Sequence, residues 1–497
     1  MKIVKITLAV IIVFFGFTAK SSFAQSNHGV VYADTNNLFV IKVQGTHEER
    51  GFAQGELLAN RINDIMQNYV KPQFGTTTYY NQVKSVVKAG SLFNYDSLII
   101  VEAKALINGM NSVNGNPQNL DYGDILLANS ILDIQSILQA KGGVECSSLM
   151  SWGNATSGSS LGGKSVISRH LDWLINPILT RNQVMVIHLP SENDEQPWAE
   201  IGFAGMISVL SGFNENMAIF QHMMSDDMHH GTLTGNYTPI WLTLRNSIEK
   251  IDPNQDGRNN VSDVKYYLRQ QSQKCADGYI ISALARSTEP HDSLIAMVAE
   301  IASVTPFVTF RSNDYADSIP SDNLYTANSQ IARNSSMHFC SRYNNIRNHI
   351  GSGTAIGVDD NRNLMKNYSY LVTNYQFMTF APEIDLFRVS IRDNQPAYLS
   401  PEVDYSVSDL FSTILSTNQN FNTNETFSIF PNPSKSTIRV NIDSKDFDCQ
   451  IISSNGKIVY RKHQYSNIID IKGLAPGLYI IRIHNGDFVK QSSFIKQ

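Results

Sequence analysis

Apolar residues recur at helical spacing near the start of the chain. Phe52, Leu57, Leu58, Ile62, Ile65 and Tyr69 follow the polar opening Gly45-Thr-His-Glu-Glu-Arg-Gly51, and Pro72 ends the run. Gly51 and Gly55 lie one turn apart, which lets another backbone approach closely. The same period predicts a helix from about Ser97 to Met110 and another from about Gly123 to Gln139. The texture then changes. Cys146-Ser-Ser-Leu-Met-Ser-Trp-Gly153 reads as a strand, Asn154 to Gly163 as a Gly/Ser/Thr loop, and Lys164-Ser-Val-Ile-Ser-Arg-His-Leu-Asp-Trp173 as the returning strand.

Ser406 to Glu425 is rich in Ser, Thr and Asn and reads as a linker. Short alternating runs follow: Thr437–Ile442, Cys449–Ile452, Lys457–Tyr460, Asn467–Ile471 and Leu478–Ile483. Turn signals at Ser454-Asn455-Gly456 and Pro476-Gly477 separate some of them, so the tail is predicted to be a small β-sandwich. Phe430-Pro-Asn-Pro433, Ser454-Asn-Gly456, Leu474-Ala-Pro-Gly-Leu-Tyr479 and the closing Phe488-Val-Lys490 and Phe494-Ile-Lys496 give this tail its character. It resembles the C-terminal sorting domain of type IX secretion cargo. The resemblance implies the type IX secretion machinery as a partner and a final location outside the cell or on its surface. An accessory β-domain that binds a surface or a carbohydrate is the alternative.

The N-terminus agrees with export. Lys2 and Lys5 precede the apolar stretch Ile6–Phe17, and Ser22-Phe23-Ala24 offers small residues for cleavage before Gln25. The stretch is short for a membrane anchor, and no later run is apolar enough to span a bilayer, so no integral membrane segment is expected in the mature chain. With 42% apolar and 17% charged residues the chain is globular. A net charge of −5, without a basic run interleaved with aromatics, excludes a nucleic-acid surface. The four cysteines (Cys146, Cys275, Cys340, Cys449) are too few for a disulfide scaffold. If Cys275 pairs with Cys340, Cys146 is left as a free thiol.

A cysteine opening a buried hairpin, followed by Arg169-His-Leu-Asp172, suggests N-terminal nucleophile chemistry. Were the chain to cut itself before Cys146, the new α-amine, with a pKa of about 7.7–8.0, could serve as base for a thiol of about 8.5. Asp172 could hold that amine, and Arg169 could favour the thiolate. Fixed donors from an Asn amide and backbone N–H groups would meet the oxyanion. Arg169 and Asp172 are an odd number of residues apart, so both can face one site only if a bulge or the strand end intervenes.

Several further segments fall in order: Gly45 to Gly55, Cys146-Ser-Ser, Arg169-x-x-Asp172, Gly205 to Met217, Thr238-Pro239, Tyr325-Thr-Ala-Asn328 and Ser341-Arg342-Tyr343. Together they resemble the cysteine-type acyltransferases and amide hydrolases of the N-terminal nucleophile fold, a family that includes penicillin acyltransferases and acid amidases and ceramidases. The resemblance implies that Cys146 is the nucleophile and the self-cleavage site. It places Arg169 beside the thiol, Asp172 on the amine, Asn328 at the oxyanion and Arg342 as the arginine that follows the asparagine. Glu145 before the cut is not a residue the family requires, and the hairpin loop is longer than usual.

Asp252-Pro-Asn-Gln-Asp-Gly-Arg-Asn-Asn-Val-Ser-Asp263 carries oxygen ligands at Asp252, Asn254, Asp256, Asn260 and Asp263. The backbone of Arg258 stands at the seventh position and Gly257 at the sharp turn. The loop resembles dockerin-type calcium loops, between a helix capped by Thr238 with Pro239 in its first turn and a helix from Val261 to Gln271. A polar interhelical loop is the alternative. His222, Met224, Asp226, Asp227, His229 and His230 meet no established metal spacing and read as a solvated loop near the site.

The expected fold is α+β: a four-layer αββα N-terminal nucleophile sandwich followed by a small β-sandwich. Its segments are a signal peptide (1–24), a helical part (25–145), a catalytic part (146–400), a linker (401–425) and the sorting domain (426–497). Helices before Cys146 and near Pro239–Gln271 are expected to cover the two sheet faces. The expected activity is a secreted cysteine amidohydrolase or acyltransferase acting on a small-molecule amide or ester through a thioester. It would need no catalytic cofactor and would carry at most a structural Ca2+. A lipid hydrolase on the same fold and a non-catalytic binding module are the other readings.

Overall fold

The computed structural model describes residues 25–26, 28–138, 145–223, 231–232, 234–287, 294–302, 305–312, 319–333, 340–413, 428–442, 446–453, 458–485 and 488–497. The predicted signal segment 1–24 and most of the His222–His230 cluster (224–230) lie outside these residues, as does the turn at 454–456. The chain divides into two units, 1–414 and 415–497.

In the first unit the chain runs through β1 (Gln25–Ser26), β2 (Gly29–Thr35), β3 (Leu38–Gly45), α1 (His47–Ile65), α2 (Thr77–Lys88), α3 (Ser97–Ser112), α4 (Tyr122–Ala128) and α5 (Ile131–Ile137). It continues through β4 (Glu145–Ser151), β5 (Val166–Asp172), α6 (Pro177–Arg181), β6 (Gln183–Pro190), β7 (Trp198–Phe203), β8 (Ser211–Asn214) and β9 (Met217–Met223). Then come α7 (Ile240–Glu249), α8 (Val261–Gln271), β10 (Tyr279–Ala285), β11 (Ala296–Ile301), β12 (Val308–Ser312) and β13 (Asn323–Thr326). The unit closes with α9 (Ser341–His349), α10 (Val358–Tyr368), β14 (Asn374–Ala381), β15 (Leu386–Ile391), β16 (Glu402–Ser406) and α11 (Val407–Leu410).

The strands form two sheets, ordered β1-β2-β3-β6-β7-β8-β9-β10-β11-β12 and β13-β4-β5-β14-β15-β16. Neighbours are antiparallel, except that β3 runs parallel to β6. One apolar core lies between the sheets, joining Val40, Met185 and Phe213 of the large sheet to Met150, Met378 and Phe387 of the small one. A second core fills the outer face of the large sheet, where α1, α3, α7 and α8 all pack. A third lies beyond the small sheet, beneath α9 and α10. The two helical groups expected on opposite faces therefore share one face. The opposite face is covered by α9 and α10, whose polar composition hid them in the sequence.

The segment before Cys146 is less purely helical than expected. It opens with the β2–β3 hairpin, turning on Asn36 and Asn37 with φ of 51° and 64°. Two successive residues at positive φ suit the twist of a tight hairpin, and asparagine tolerates them. The predicted helix Gly123–Gln139 is two short helices, α4 and α5. The predicted linker also begins too early, since β16 pairs with β15 and Leu410 and Phe411 enter the intersheet core.

Gly51, Gly55 and Gly109 make the α1–α3 contact. A Cβ at Gly55 would collide with the carbonyl oxygen of Leu106, and one at Gly109 with that of Phe52. The paired glycines read in the sequence are thus a backbone-to-backbone seam.

The second unit holds β17 (Ile429–Phe430), β18 (Thr437–Val440), β19 (Phe447–Ser453), β20 (Ile458–Gln464), β21 (Ile468–Asp470), β22 (Gly477–Asn485) and β23 (Phe488–Lys496). They form sheets β17-β18-β21 and β20-β19-β22-β23 around Ile438, Ile451, Ile469, Ile481 and Phe494. The alternation read along the tail is the inward face of this sandwich. Among the described residues no helix is long and apolar enough to cross a membrane.

Candidate active site

Cys146 is the second residue of β4, paired with Leu171 of β5, and is fully buried. Three of its atoms are each held by a side chain distant in sequence. Its backbone N–H donates to Asn328 Oδ1 at 3.1 Å. Its carbonyl oxygen accepts from Arg342 Nη1 at 3.3 Å. Its Sγ lies 3.5 Å from Arg169 Nη2. Arg169 is fixed by Ser211 Oγ at 2.9 Å and by the Gln221 carbonyl at 3.0 Å, both from the large sheet.

Asp172, the last residue of β5, sits opposite Glu145. The pairing of β5 with β14 slips between Asn374 and Gln376 at this point. A strand end and an irregularity thus coincide, which lets Asp172 and Arg169 serve one site despite their odd spacing. Asn374 Nδ2 donates to Asp172 Oδ1 at 3.1 Å, and Arg342 Nη1 stands 3.6 Å from Oδ2. Asp172 Oδ2 has no hydrogen-bond partner although it is buried.

Arg342, the second residue of α9, joins the cluster. Besides the Cys146 carbonyl it reaches Asn328 Oδ1 at 2.8 Å and Glu145 Oε2 at 3.1 Å. All five sequence-predicted residues, Cys146, Arg169, Asp172, Asn328 and Arg342, are therefore brought together, and Glu145 is added to them.

Two features of the geometry bear on the expected roles. Asn328 presents its oxygen to Cys146, while its amide N–H donates to the Met223 carbonyl. Its orientation follows from Arg342, which can only donate. One of the two hydrogens of the Asn328 amide is thus taken by the Met223 carbonyl. Second, Arg169 does not make the Cys146 thiol acidic: burial pushes it up, and the Arg169 charge offsets this only in part. Burial also lifts Asp172 to about 7 against the pull of Arg342 and Asn374.

His222, expected in a solvated loop near the site, is instead a buried residue of β9. It meets Ser148 Oγ at 3.1 Å and Ser282 Oγ at 3.0 Å. Burial, with Arg169 and Arg342 nearby, keeps it neutral. Its period-two spacing from Phe220 was the available signal.

The cysteines are all free. Cys275 lies in the core outside the large sheet, and Cys340 caps α9 beyond the small sheet, so the two face opposite sides of the unit. The pairing entertained from the sequence is excluded by this placement.

Asp252, Asn254, Asp256 and Arg258 lie on the loop between α7 and α8, Asn260 is the N-cap of α8 and Asp263 stands in its first turn. The helix before the loop begins at Ile240 with Pro239 as its N-cap, in place of Thr238, whose hydroxyl donates to Gln271 at 3.2 Å. Asp133 receives the Ile240 N–H instead, at 3.3 Å. Among the described residues, only His47, Glu192 and Glu195 bring three His, Cys or acidic ligand atoms within 4.8 Å of one another. That group is already neutralised: Arg50 holds Glu195 at 2.7 Å, Lys250 holds it at 2.9 Å, and His47 bridges Glu102 at 2.6 Å and Glu195 at 2.9 Å. It is a buried ion network that ties α1 to α3 and α7.

Comparison with known proteins identifies the second unit. Residues 428–497 match the family model described as secretion system C-terminal sorting domain. A curated relative, Protein dcd1B of Dictyostelium discoideum, is 21% identical over 260 residues, 48% of each chain. The chain thus spans about half the length of the curated relative it matches. A solved structure of PorZ, a bacterial surface component of the type-IX secretion system of Porphyromonas gingivalis, overlaps 23% of this chain and 15% of its own at 12% identity, with a TM-score of 0.14, too low to carry an argument. The second unit is a type IX secretion sorting domain, which marks the chain for secretion or display at the cell surface.

Proposed function

We propose that the first unit is a self-processing cysteine amidohydrolase of the N-terminal nucleophile kind. The observation that carries this reading is the convergence of Asn328, Arg342 and Arg169 on the nitrogen, the carbonyl oxygen and the sulfur of one residue, Cys146. A structural cysteine needs no such set of partners. Two stacked sheets with helices on both outer faces support the same reading.

In the first step Cys146 Sγ attacks the Glu145 carbonyl carbon. The C–S bond forms, the Glu145–Cys146 C–N bond breaks, and the thiol proton passes to the departing nitrogen. Water then hydrolyses the thioester, leaving a Glu145 carboxylate, a free Cys146 thiol and a Cys146 α-amine. Asp172 Oδ2, which makes no hydrogen bond, and the Asn328 oxygen are acceptors for the hydrogens of that amine. In turnover the amine takes the thiol proton, the thiolate attacks the substrate acyl carbon, and the proton goes to the leaving amine or alcohol. Water resolves the acyl-enzyme. An amine would resolve it in a transferase, but water is the abundant acceptor outside the cell. The signal segment before Gln25 belongs to this reading, as the first of two export steps.

An apolar rim favours substrates with a hydrocarbon part. Leu174, Ile175 and Val372 are 59%, 55% and 65% exposed just beyond the ends of β5 and β14. A cavity of about 240 Å3 beside Leu174 and Ile175 is lined by Tyr69 and Trp173 and also by the polar Gln73, Gln135 and Asn176. Complete burial of Cys146 favours the other reading, a non-catalytic binding module.

Intact mass under denaturing conditions separates the two. Wild type should give two fragments meeting at Glu145/Cys146, and Cys146→Ala one chain. One uncut chain in both, after long incubation at mildly acidic and neutral pH, would favour the binding module.

A further inference from the structure

We propose that the loop between α7 and α8 is a calcium site, formed by the side chains of Asp252, Asn254, Asp256, Asn260 and Asp263 and the carbonyl of Arg258. The observation behind this is Asp263. Its side chain is fully buried, its Oδ2 accepts the Asn260 N–H at 3.1 Å in a capping box, and its Oδ1 has no hydrogen-bond partner. The charges facing it are carboxylates, Asp256 and Asp252. A buried carboxylate oxygen without a hydrogen-bond partner, under the influence of two further carboxylates of the same segment, is costly unless a cation draws them together.

The oxygens of the loop are fixed by its own donors, and Asp256 Oδ2 also accepts from Asn254 Nδ2 at 3.1 Å and Ser262 Oγ at 2.8 Å. Asp252 accepts the N–H groups of Asp256 and Gly257, each at 2.9 Å. Asn254 Oδ1 accepts the Asp256 N–H at 3.0 Å, and Asp256 Oδ1 accepts the Arg258 N–H at 2.9 Å. Gly257 takes φ of 77° at the turn, a conformation a side chain would strain. The donor set is oxygen throughout, with three carboxylates on a twelve-residue loop. That set suits a hard cation of high coordination number and gives a thiolate- or imidazole-seeking metal nothing to bind. In the exported protein calcium is plentiful. The bound ion would join the end of α7, which carries Arg245 and Glu249 of the buried ion network, to the start of α8.

Titration of the EDTA-stripped full chain with CaCl2 in a calorimeter tests this, with thermal unfolding recorded alongside. Wild type should bind one Ca2+ and melt at a higher temperature with calcium than with EDTA. Asp252→Asn and Asp263→Asn should each weaken binding at least about tenfold. Arg258→Ala should bind within about threefold of wild type, because only its carbonyl is used. No binding heat and no shift in melting up to about 10 mM CaCl2 would overturn the proposal. So would equal affinity in Asp252→Asn, which would place the ion elsewhere, or a response to MgCl2 alone. If one variant fails to fold, the other together with Arg258→Ala still decides the matter.

Discussion

Arg342 grips both sides of one peptide bond: its guanidinium reaches the Glu145 carboxylate at 3.1 Å and the Cys146 carbonyl oxygen at 3.3 Å. Under the proposed reaction this is the bond that breaks. Arg342→Ala should slow fragment formation about a hundredfold, the scale of a small misplacement at a reacting centre, because Arg342 positions the residues on either side of the bond through the Glu145 side chain and the Cys146 carbonyl. Glu145→Gln should slow it less than about tenfold, because Glu145 is half exposed and its ion pair is screened. Mass spectrometry of fragment ratios against time gives both rates.

Asp172 sets a second expectation. Its folded pKa is raised to about 7 from an ordinary 3.8 by burial. The folded state therefore keeps a proton that the unfolded state has lost, and stability falls as pH rises between those values. In the uncut Cys146→Ala background, Asp172→Asn should remove this slope and raise the urea midpoint at pH 8. In the Cys146 protein the same substitution should abolish turnover.

His47 gives the opposite limb. Burial disfavours its charge, but hydrogen bonds to Glu102 and Glu195 outweigh that and lift it to about 9. The stabilisation is complete below the unfolded value near 6.5 and is lost as pH rises through 9. A shift of this size corresponds to on the order of 3 kcal/mol. His47→Gln should therefore lower the melting temperature at pH 6 and change it little at pH 10.

The α1–α3 seam predicts a steric effect without any charge. Gly55→Ala drives a methyl group into the Leu106 carbonyl, and backbone cannot yield as a side chain can. The loss should be about 3 kcal/mol or more, read from urea unfolding of the uncut chain. Gly257→Ala, on an open turn, should cost less and act mainly through its positive φ.

The candidate site residues were legible because each sits in a short local pattern: a cysteine near the start of a strand, Arg169 within and Asp172 at the end of its partner, Asn328 just beyond β13 and Arg342 opening a helix. Orientation was not legible. Whether Asn328 offers its oxygen or its nitrogen is decided by Arg342 and by the Met223 carbonyl, and those contacts are tertiary. The net balance at Cys146 was hidden for the same reason, since burial outweighs the cation only once the sheets are stacked. Among the elements, the glycine seam and the sorting-domain strands carried strong periodic signals. The β2–β3 hairpin carried one too, in Asn36-Asn37, but the apolar run beside it drew the reading toward helices. Helices α9 and α10 bury only a narrow stripe each (Arg342, Tyr343 and Ile346 in one, Asn361, Arg362 and Met365 in the other), so pattern alone could not mark them.

The parallel pairing of β3 with β6 carries a consequence for the life of the molecule. Strand β3 precedes the proposed cut and β6 follows it, and they are neighbours in the large sheet with seven residues in register. Severing the chain at Cys146 would leave the first piece clasped by its ladder and by the α1–α3 layer, with no route out short of unfolding. What began as one polypeptide would persist as two interlocked chains, able to fold in first-order fashion only once, before the cut. Afterwards, recovery from denaturation would need two partners to find each other, so dilution would work against it and the native state would be preserved by the slowness of its opening.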